Sequence, residues 1–167
     1  YNDIQIIAGQ GTIGLELIEQ SEDFDKIGSI IVPTGGGGLL SGIGISLETA
    51  KHRPRLIGVQ SEASSYMHAM FYVGTQDDVV ETDSLADGLA GEVDHQSVTI
   101  PLVDKYADEI LLVSEASIEE AIRYAWVNHK QVIEGSAATA LAAIICGKVH
   151  DLPAIAIMSG GNIQPEV

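Results

Sequence analysis

The chain has 167 residues, 46% of them hydrophobic, with 8 basic side chains against 24 acidic ones and a formal charge of −16. That is enough apolar material for a core without covalent staples, and too much for a disordered segment. The negative surplus excludes a nucleic-acid partner, because affinity for a phosphate backbone comes from Lys and Arg. The single cysteine, Cys146, excludes a disulfide framework and a Cys-rich zinc site, and fits a reducing, cytoplasmic compartment. No basic-then-apolar leader opens the chain. Its most apolar stretch, Ala137 to Cys146, is half of the roughly 20 residues a spanning helix needs, so a soluble protein with no membrane partner is expected. The first residue is Tyr1 rather than Met, which predicts a segment of a longer protein.

A helix-like pattern starts almost at once. Within it, Gly9-Gln10-Gly11-Thr12-Ile13-Gly14 spells the dinucleotide fingerprint, for which Ile4 to Ile7 would be the preceding strand. That fingerprint also wants a carboxylate at the end of the next strand, to hold a ribose. Here the next strand ends at Pro33-Thr34-Gly35, so a nicotinamide cofactor is not expected. Four apolar runs are continuous rather than alternating: Ile30 to Val32, Leu56 to Val59, Ile110 to Val113 and Ala154 to Met158. Continuity of that kind predicts strands buried on both faces of a parallel sheet. Helical spacing lies between them, in Leu40, Ile43, Leu47 and Ala50, then in Ile118, Ile122, Ala125 and His129 with Trp126 beside them. Ser117 and Glu120 offer a capping box for the second of these helices. Ala137, Leu141, Ala142 and Ile145 mark a small-sided third. Gly74 to Asp94, acidic and weakly periodic, reads as a long surface loop of the kind that is often functional. Strands and helices in alternation predict a single α/β domain over residues 1–167, a layered, mainly parallel twisted sheet with helices on both faces.

The strongest local signal follows the first apolar run: Val32-Pro33-Thr34, then Gly35, Gly36, Gly37 and Gly38, then Leu39 opening a helix. Four glycines exceed what a tight turn needs. They allow successive N–H groups to approach a bound group, and the new helix favours an anion there, above all a phosphate. A nucleotide-binding P-loop would close with Gly-Lys-Ser/Thr, whereas Leu39 follows Gly38 and no lysine is near. A second glycine turn, Ser159-Gly160-Gly161-Asn162, follows the last apolar run, so both turns fall at carboxyl ends of strands, where α/β sheets gather ligands. The five histidines, at 52, 68, 95, 129 and 150, lack zinc spacing, and nothing supports a Ser-His-Asp triad. Asp77, Asp78, Glu81 and Asp83 read as a solvated acidic loop.

Taken together, Ala8 to Glu16, Gly35 to Leu39, Gly58-Val59-Gln60-Ser61-Glu62, Ala86-Asp87-Gly88, Glu134-Gly135 and Ser159 to Asn162 resemble, in order and spacing, the C-terminal part of the threonine and serine dehydratases. These are pyridoxal-phosphate enzymes of fold type II, and the run at Gly58 looks most like their catabolic branch. The resemblance implies that this chain is part of the large domain of such an enzyme, with pyridoxal 5'-phosphate as cofactor. It implies that the N–H groups of Gly35, Gly36, Gly37, Gly38 and Leu39 cradle the cofactor phosphate, that Ser159 faces the pyridine nitrogen, and that Gly88 and Glu134 lie near the ring. The implied reaction is α,β-elimination of threonine or serine to a 2-oxo acid and ammonia. It further implies a homo-oligomer, and a nucleotide effector site at a subunit interface to which Asn162 contributes.

The departures matter as much. The family's Schiff-base lysine belongs to a motif absent here: none of Lys26, Lys51, Lys105, Lys130 and Lys148 has the required neighbours, and all read as solvated. The chain therefore reads as a C-terminal half, incomplete for catalysis by itself. Serine racemase-like relatives hold a divalent cation just after this Gly-Val; here Gln60 and Tyr66 stand where carboxylates are expected and Glu62 reads as a surface charge, so no metal is expected. The alternatives are a racemase, a threonine synthase or a β-replacement enzyme of the same fold, and, in a different class, a non-catalytic anion-binding domain.

Overall fold

A computed structural model describes residues 1–163. Its elements run α1 (Ile4–Gln20), β1 (Ser29–Pro33), α2 (Gly38–Ser46), β2 (Arg55–Ser61), α3 (Tyr66–Val73), α4 (Thr99–Tyr106), β3 (Glu109–Val113), α5 (Glu115–Tyr124), α6 (Gly135–Ile145) and β4 (Ala154–Ala156). The strands form one parallel sheet in the order β3-β2-β1-β4. Ile31, at the centre, pairs with Ile57 on one side and Ala156 on the other. From β1 the chain steps outward to β2 and β3, then crosses back over both to place β4 on the far side of β1. A reversal of this kind is where α/β sheets collect ligands.

Side-chain alternation along β1 divides the core in two. Ile30 and Val32 pack with Leu40 and Ile43 of α2, Met67 of α3 and Val103 of α4. Ile31 faces the other way, with Ile57, Val59 and Val113, onto Ile118 and Ala121 of α5 and the alanines of α6. Helices thus cover both faces. β1 is buried along its whole length, as its unbroken apolar run requires. β4 is only half-buried and β3 only partly buried, so the third and last runs are not enclosed on both sides: these two are the edge strands among the described residues. The strand also stops at Ala156, although the Ile157 N–H still donates to the Ile31 carbonyl at 2.9 Å.

Three local expectations are corrected. Ile4 to Ile7 form the first turn of α1, not a strand, because the Asp3 carboxylate caps a helix there by accepting from the Gln5 and Ile6 N–H groups at 2.7 and 3.3 Å. The fingerprint glycines consequently sit inside a helix and let two backbones meet: a Cβ on Gly11 would stand 3.0 Å from the Gly42 carbonyl oxygen. The Ser46 hydroxyl donates across the same seam to the Gly11 carbonyl at 2.6 Å. Second, α5 begins earlier than the Ser117 box. Ser114 is its cap and accepts from the Ser117 N–H at 3.2 Å, which leaves Ser117 and Glu120 within the helix. Third, that helix ends in a π turn, Ala125–His129, with Lys130 in the left-handed region at φ 55°; Trp126 and His129 face solvent.

Two helices were not anticipated. Tyr66–Val73 is apolar all round and shows no stripe, and α4 carries Pro101 in its first turn, where a missing N–H costs nothing. Gly74 to Asp94 is irregular apart from one short turn, Asp87–Leu89. No helix among the described residues is long and apolar enough to cross a membrane.

Candidate functional site

β1 delivers the chain through Thr34, whose buried hydroxyl donates to the Val32 carbonyl at 2.9 Å, into the four glycines. Gly37 caps α2 with φ at 82°, in the left-handed region where a Cβ is strained. The Cα faces of the loop are occupied. A Cβ on Gly35 would stand 3.1 Å from the Leu89 Cα, and one on Gly37 would stand 2.6 Å from Val103 Cγ2. Gly36 and Gly38 lie against Tyr1. The N–H edges are not occupied. Among the described residues, the backbone N–H groups of Gly35, Gly36, Gly37, Gly38 and Leu39 have no hydrogen-bond partner; the ladder of α2 opens only with Ser41 N–H donating to the Gly37 carbonyl at 2.9 Å. Amides left open at the start of a helix form an anion site. No Lys or Arg belongs to this loop, so an anion placed there would meet only amides and the helix dipole.

The other expected residues come together around the loop. Leu89 packs on Gly35, and Gly88, beside it, faces Ser136 at the start of α6: a Cβ on Gly88 would stand 2.8 Å from Ser136 Oγ. Glu134 caps α6, its N–H donates to the Gly160 carbonyl at 3.2 Å, and its side chain lies against Gly160. Gly35, Gly88, Glu134 and Gly160 are therefore linked contact by contact at the carboxyl ends of β1 and β4. Ser159 is exposed just after β4, with no partner for its hydroxyl among the described residues. Asn162 is exposed three residues further on.

Beneath this patch lies a carboxylate that sequence reasoning missed. Glu115, first residue of α5, accepts from Ser61 Oγ at 2.5 Å, Ser84 Oγ at 2.7 Å and the Leu85 N–H at 2.6 Å. Burial pushes its pKa up, but these three hydrogen bonds together outweigh burial and hold it below the usual carboxylate range. It ties the end of β2 to the segment leading into Gly88. The only sequence signal was a carboxylate at a helix start. Glu81, expected to be merely solvated, also pins the long loop, accepting from Ser64 Oγ at 3.0 Å and the Gly91 N–H at 2.9 Å.

At the position compared with a cation site, Gln60 is buried and its Oε1 accepts from the His68 N–H at 2.7 Å. Tyr66 is buried, and Glu62 is exposed 4.0 Å from Lys148. Among the described residues no three His, Cys, Asp or Glu side chains gather as a metal site would require. Four of the lysines are engaged away from the loop: Lys26 with Asp23, Lys105 with Glu48, Lys130 with the Val127 carbonyl and Lys148 with the Leu112 carbonyl. Lys51 is exposed in the turn before β2, at the opposite end of the sheet.

Comparison with known proteins agrees with this geometry. The catabolic L-threonine dehydratase TdcB of Escherichia coli is 40% identical over 169 residues, covering 98% of this chain and 50% of that protein. An L-threonine ammonia-lyase of Thermotoga maritima is 38% identical over 165 residues, covering 98% of this chain and 40% of its own length. The chain thus spans about half the length of the curated relatives it matches. Among solved structures, serine racemase from Dictyostelium discoideum superposes with a TM-score of 0.83 at 34% identity, covering 98% of this chain and 52% of that one. The family described as pyridoxal-phosphate dependent enzyme matches residues 1–160. With a family match over nearly its whole length, the chain belongs to the pyridoxal-phosphate dependent enzymes.

Proposed function

We propose that this chain supplies the phosphate and ring contacts of an ammonia-lyase that converts L-threonine or L-serine to a 2-oxo acid and ammonia. The observation that carries this reading is the run of N–H groups from Gly35 to Leu39 with no partner among the described residues, next to β4, which is followed three residues on by a neutral hydroxyl, Ser159. Pyridoxal phosphate, when bound, supplies an electron-accepting ring that loosens the bonds at an amino acid's α-carbon. Gly35 to Leu39 hold its phosphate through backbone donors whose positions are fixed before binding. Ser159 would face the ring nitrogen with a neutral hydroxyl, where a carboxylate would keep that nitrogen protonated; such a setting would favour loss of the β-hydroxyl, protonated and leaving as water, once the α-proton is removed. Gly88 and Glu134, backed by Ser136 and Gly160, would lie near the ring.

Two of the relatives above are named for threonine, which supports threonine as the first substrate to try. The covalent lysine of the reaction is not among the five in this chain, given the partners and placement of each. The acidic surface and an exposed free Cys146 support a cytoplasmic home, and the family resemblance supports a homo-oligomer. A racemase is the second reading, favoured by the likeness to Dictyostelium serine racemase.

The test uses the full-length protein that contains this chain, supplied with L-threonine and L-serine in turn. Release of 2-oxo acid and ammonia is expected, and Ser159→Ala should keep the cofactor but slow the release. D-serine accumulating without 2-oxo acid would favour the racemase. A protein that consumes no amino acid yet retains phosphate would be an anion-binding domain.

A further inference from the structure

Behind the glycine loop, on the side of α4, runs a short chain of hydroxyls that neither the motifs nor the proposed reaction uses. Thr99, the first residue of α4, is fully buried, and its Oγ1 donates to the Gly36 carbonyl at 2.6 Å. Ser97, also buried, has its Oγ 2.7 Å from Thr99 Oγ1 and 3.1 Å from Asn2 Oδ1. The direction of the chain follows from proton counting. A carbonyl only accepts, so the single hydroxyl proton of Thr99 is committed to Gly36; the single proton of Ser97 is then shared between two acceptors, Thr99 Oγ1 at 2.7 Å and Asn2 Oδ1 at 3.1 Å. Asn2 Oδ1 also accepts from the Val98 N–H at 2.8 Å, which fixes the turn carrying both hydroxyls.

The consequence for the loop is set by peptide geometry. The Gly36–Gly37 bond is trans, and a trans peptide points its N–H opposite to its C=O. Holding the Gly36 carbonyl toward Thr99 therefore turns the Gly37 N–H away from α4. That N–H has no partner among the described residues. A glycine pair would otherwise rotate this peptide freely, since neither residue has a Cβ to restrict it. Donation into the carbonyl also polarises the peptide and makes its N–H a stronger donor, and the Ser97 proton strengthens Thr99 in turn.

We infer that Thr99, supported by Ser97, is a positioning residue for cofactor-phosphate binding: it orients and polarises the Gly36–Gly37 peptide so that the Gly37 N–H is presented to the phosphate. The inference rests on the reading of Gly35 to Leu39 as the phosphate cradle, and the experiment separates the two. In the full-length protein, stripped of cofactor, affinity is titrated by fluorescence for pyridoxal phosphate and for pyridoxal, which lacks the phosphate. The parent protein and Gly35→Ala test the cradle itself: equal affinity for both compounds, unchanged in Gly35→Ala, would remove the cradle and the inference with it. If the cradle stands, Thr99→Val is expected to weaken pyridoxal phosphate about tenfold or more. It should change pyridoxal affinity less than about twofold and alter the phosphorus NMR shift of the bound phosphate. Thr99→Ser, which keeps the donor, should restore affinity to within about threefold. Ser97→Ala should give a smaller loss of the same kind, and it carries the test if Thr99→Val does not fold. Parallel losses for both compounds, or unchanged affinity in Thr99→Val, would make Thr99 a packing residue only.

Discussion

The two ends of the sheet are finished in opposite ways. At the amino ends of the strands, Arg55 donates to Asp151 at 2.6 Å and Glu109 at 3.2 Å, joining β2 to β3 and to the approach to β4. Beside it, Arg53 grips both oxygens of Asp108, at 3.3 and 3.1 Å, and Asp108 accepts from the Leu56 N–H at 2.8 Å. Donors and acceptors there satisfy one another. At the carboxyl ends of β1 and β4 the chain instead offers glycines, the Ser159 hydroxyl and N–H groups with no partner among the described residues. One end spends its polar groups internally and contributes stability. The other leaves them open, as an anion site would.

The contrast is broken or sharpened by substitutions at each end. The largest effect is expected at Gly37→Val, which places a Cβ in the left-handed region and 2.6 Å from Val103 Cγ2. Backbone strain of about 1–3 kcal/mol accompanies that clash, so cofactor affinity should fall by roughly 100-fold and the melting temperature should fall with it. Gly35→Ala is the cleaner probe, because its Cβ meets Leu89 at 3.1 Å with no change of φ region; equilibrium dialysis should show affinity falling more than stability does.

Glu115→Gln, at the carboxyl ends of β2 and β3, should cost about 1–2 kcal/mol at pH 7 by urea unfolding, since three donors lose a charged acceptor. The pH dependence has a definite sign. The Glu115 pKa is lowered on folding from 4.5, so its contribution is complete above that value and is lost as pH falls through the folded pKa. The parent should lose stability on acidification from pH 5 to about pH 3 more steeply than Glu115→Gln, and the two curves should converge. Parallel acid limbs would mean that the carboxylate is not charged in its hydroxyl cage.

The smallest effect belongs to Arg55→Met. Its side chain is 43% exposed, so both ion pairs together are worth at most about 1 kcal/mol, less in high salt. Cofactor affinity should stay within about twofold. A loss as large as that of Gly35→Ala would show that the two ends are not separable.

What was legible in the sequence follows this same division. The glycine loop could be read because its logic is local: strand, turn and helix start within ten residues. Gly88 and Glu134 were reachable only through family resemblance, because their neighbours, Ser136 and Gly160, are brought to them by the fold. Thr99 carried no signal and Glu115 only that of a carboxylate at a helix start, since Thr99 acts on a residue 63 positions away and Glu115 on residues 30 to 54 positions away. The misplaced cap of α5 has a plain cause. Ser114 and Ser117 both suit a helix start, and β3 ends at Val113, so the first hydroxyl available takes the role. The small-residue fingerprint, set aside for want of a carboxylate, has a packing cause. Spacing of that kind says only that something comes close, and here it is α2.

That seam between α1 and α2 gives the glycine loop a mechanical property. Gly42 brings its backbone against those of Ile7 and Gly11, and at Gly14 only the short Ser46 side chain lies between the two helices, 2.7 Å from where a Cβ would stand. A layer of leucines would deform under load; touching backbones do not, and close-packed matter transmits displacement. Gly38, which begins α2, also bears directly on Tyr1, just before α1. The two helices are therefore packed as one unit with the glycine loop at its end, so a displacement of α1 would be passed to the first turn of α2 with little room to be absorbed.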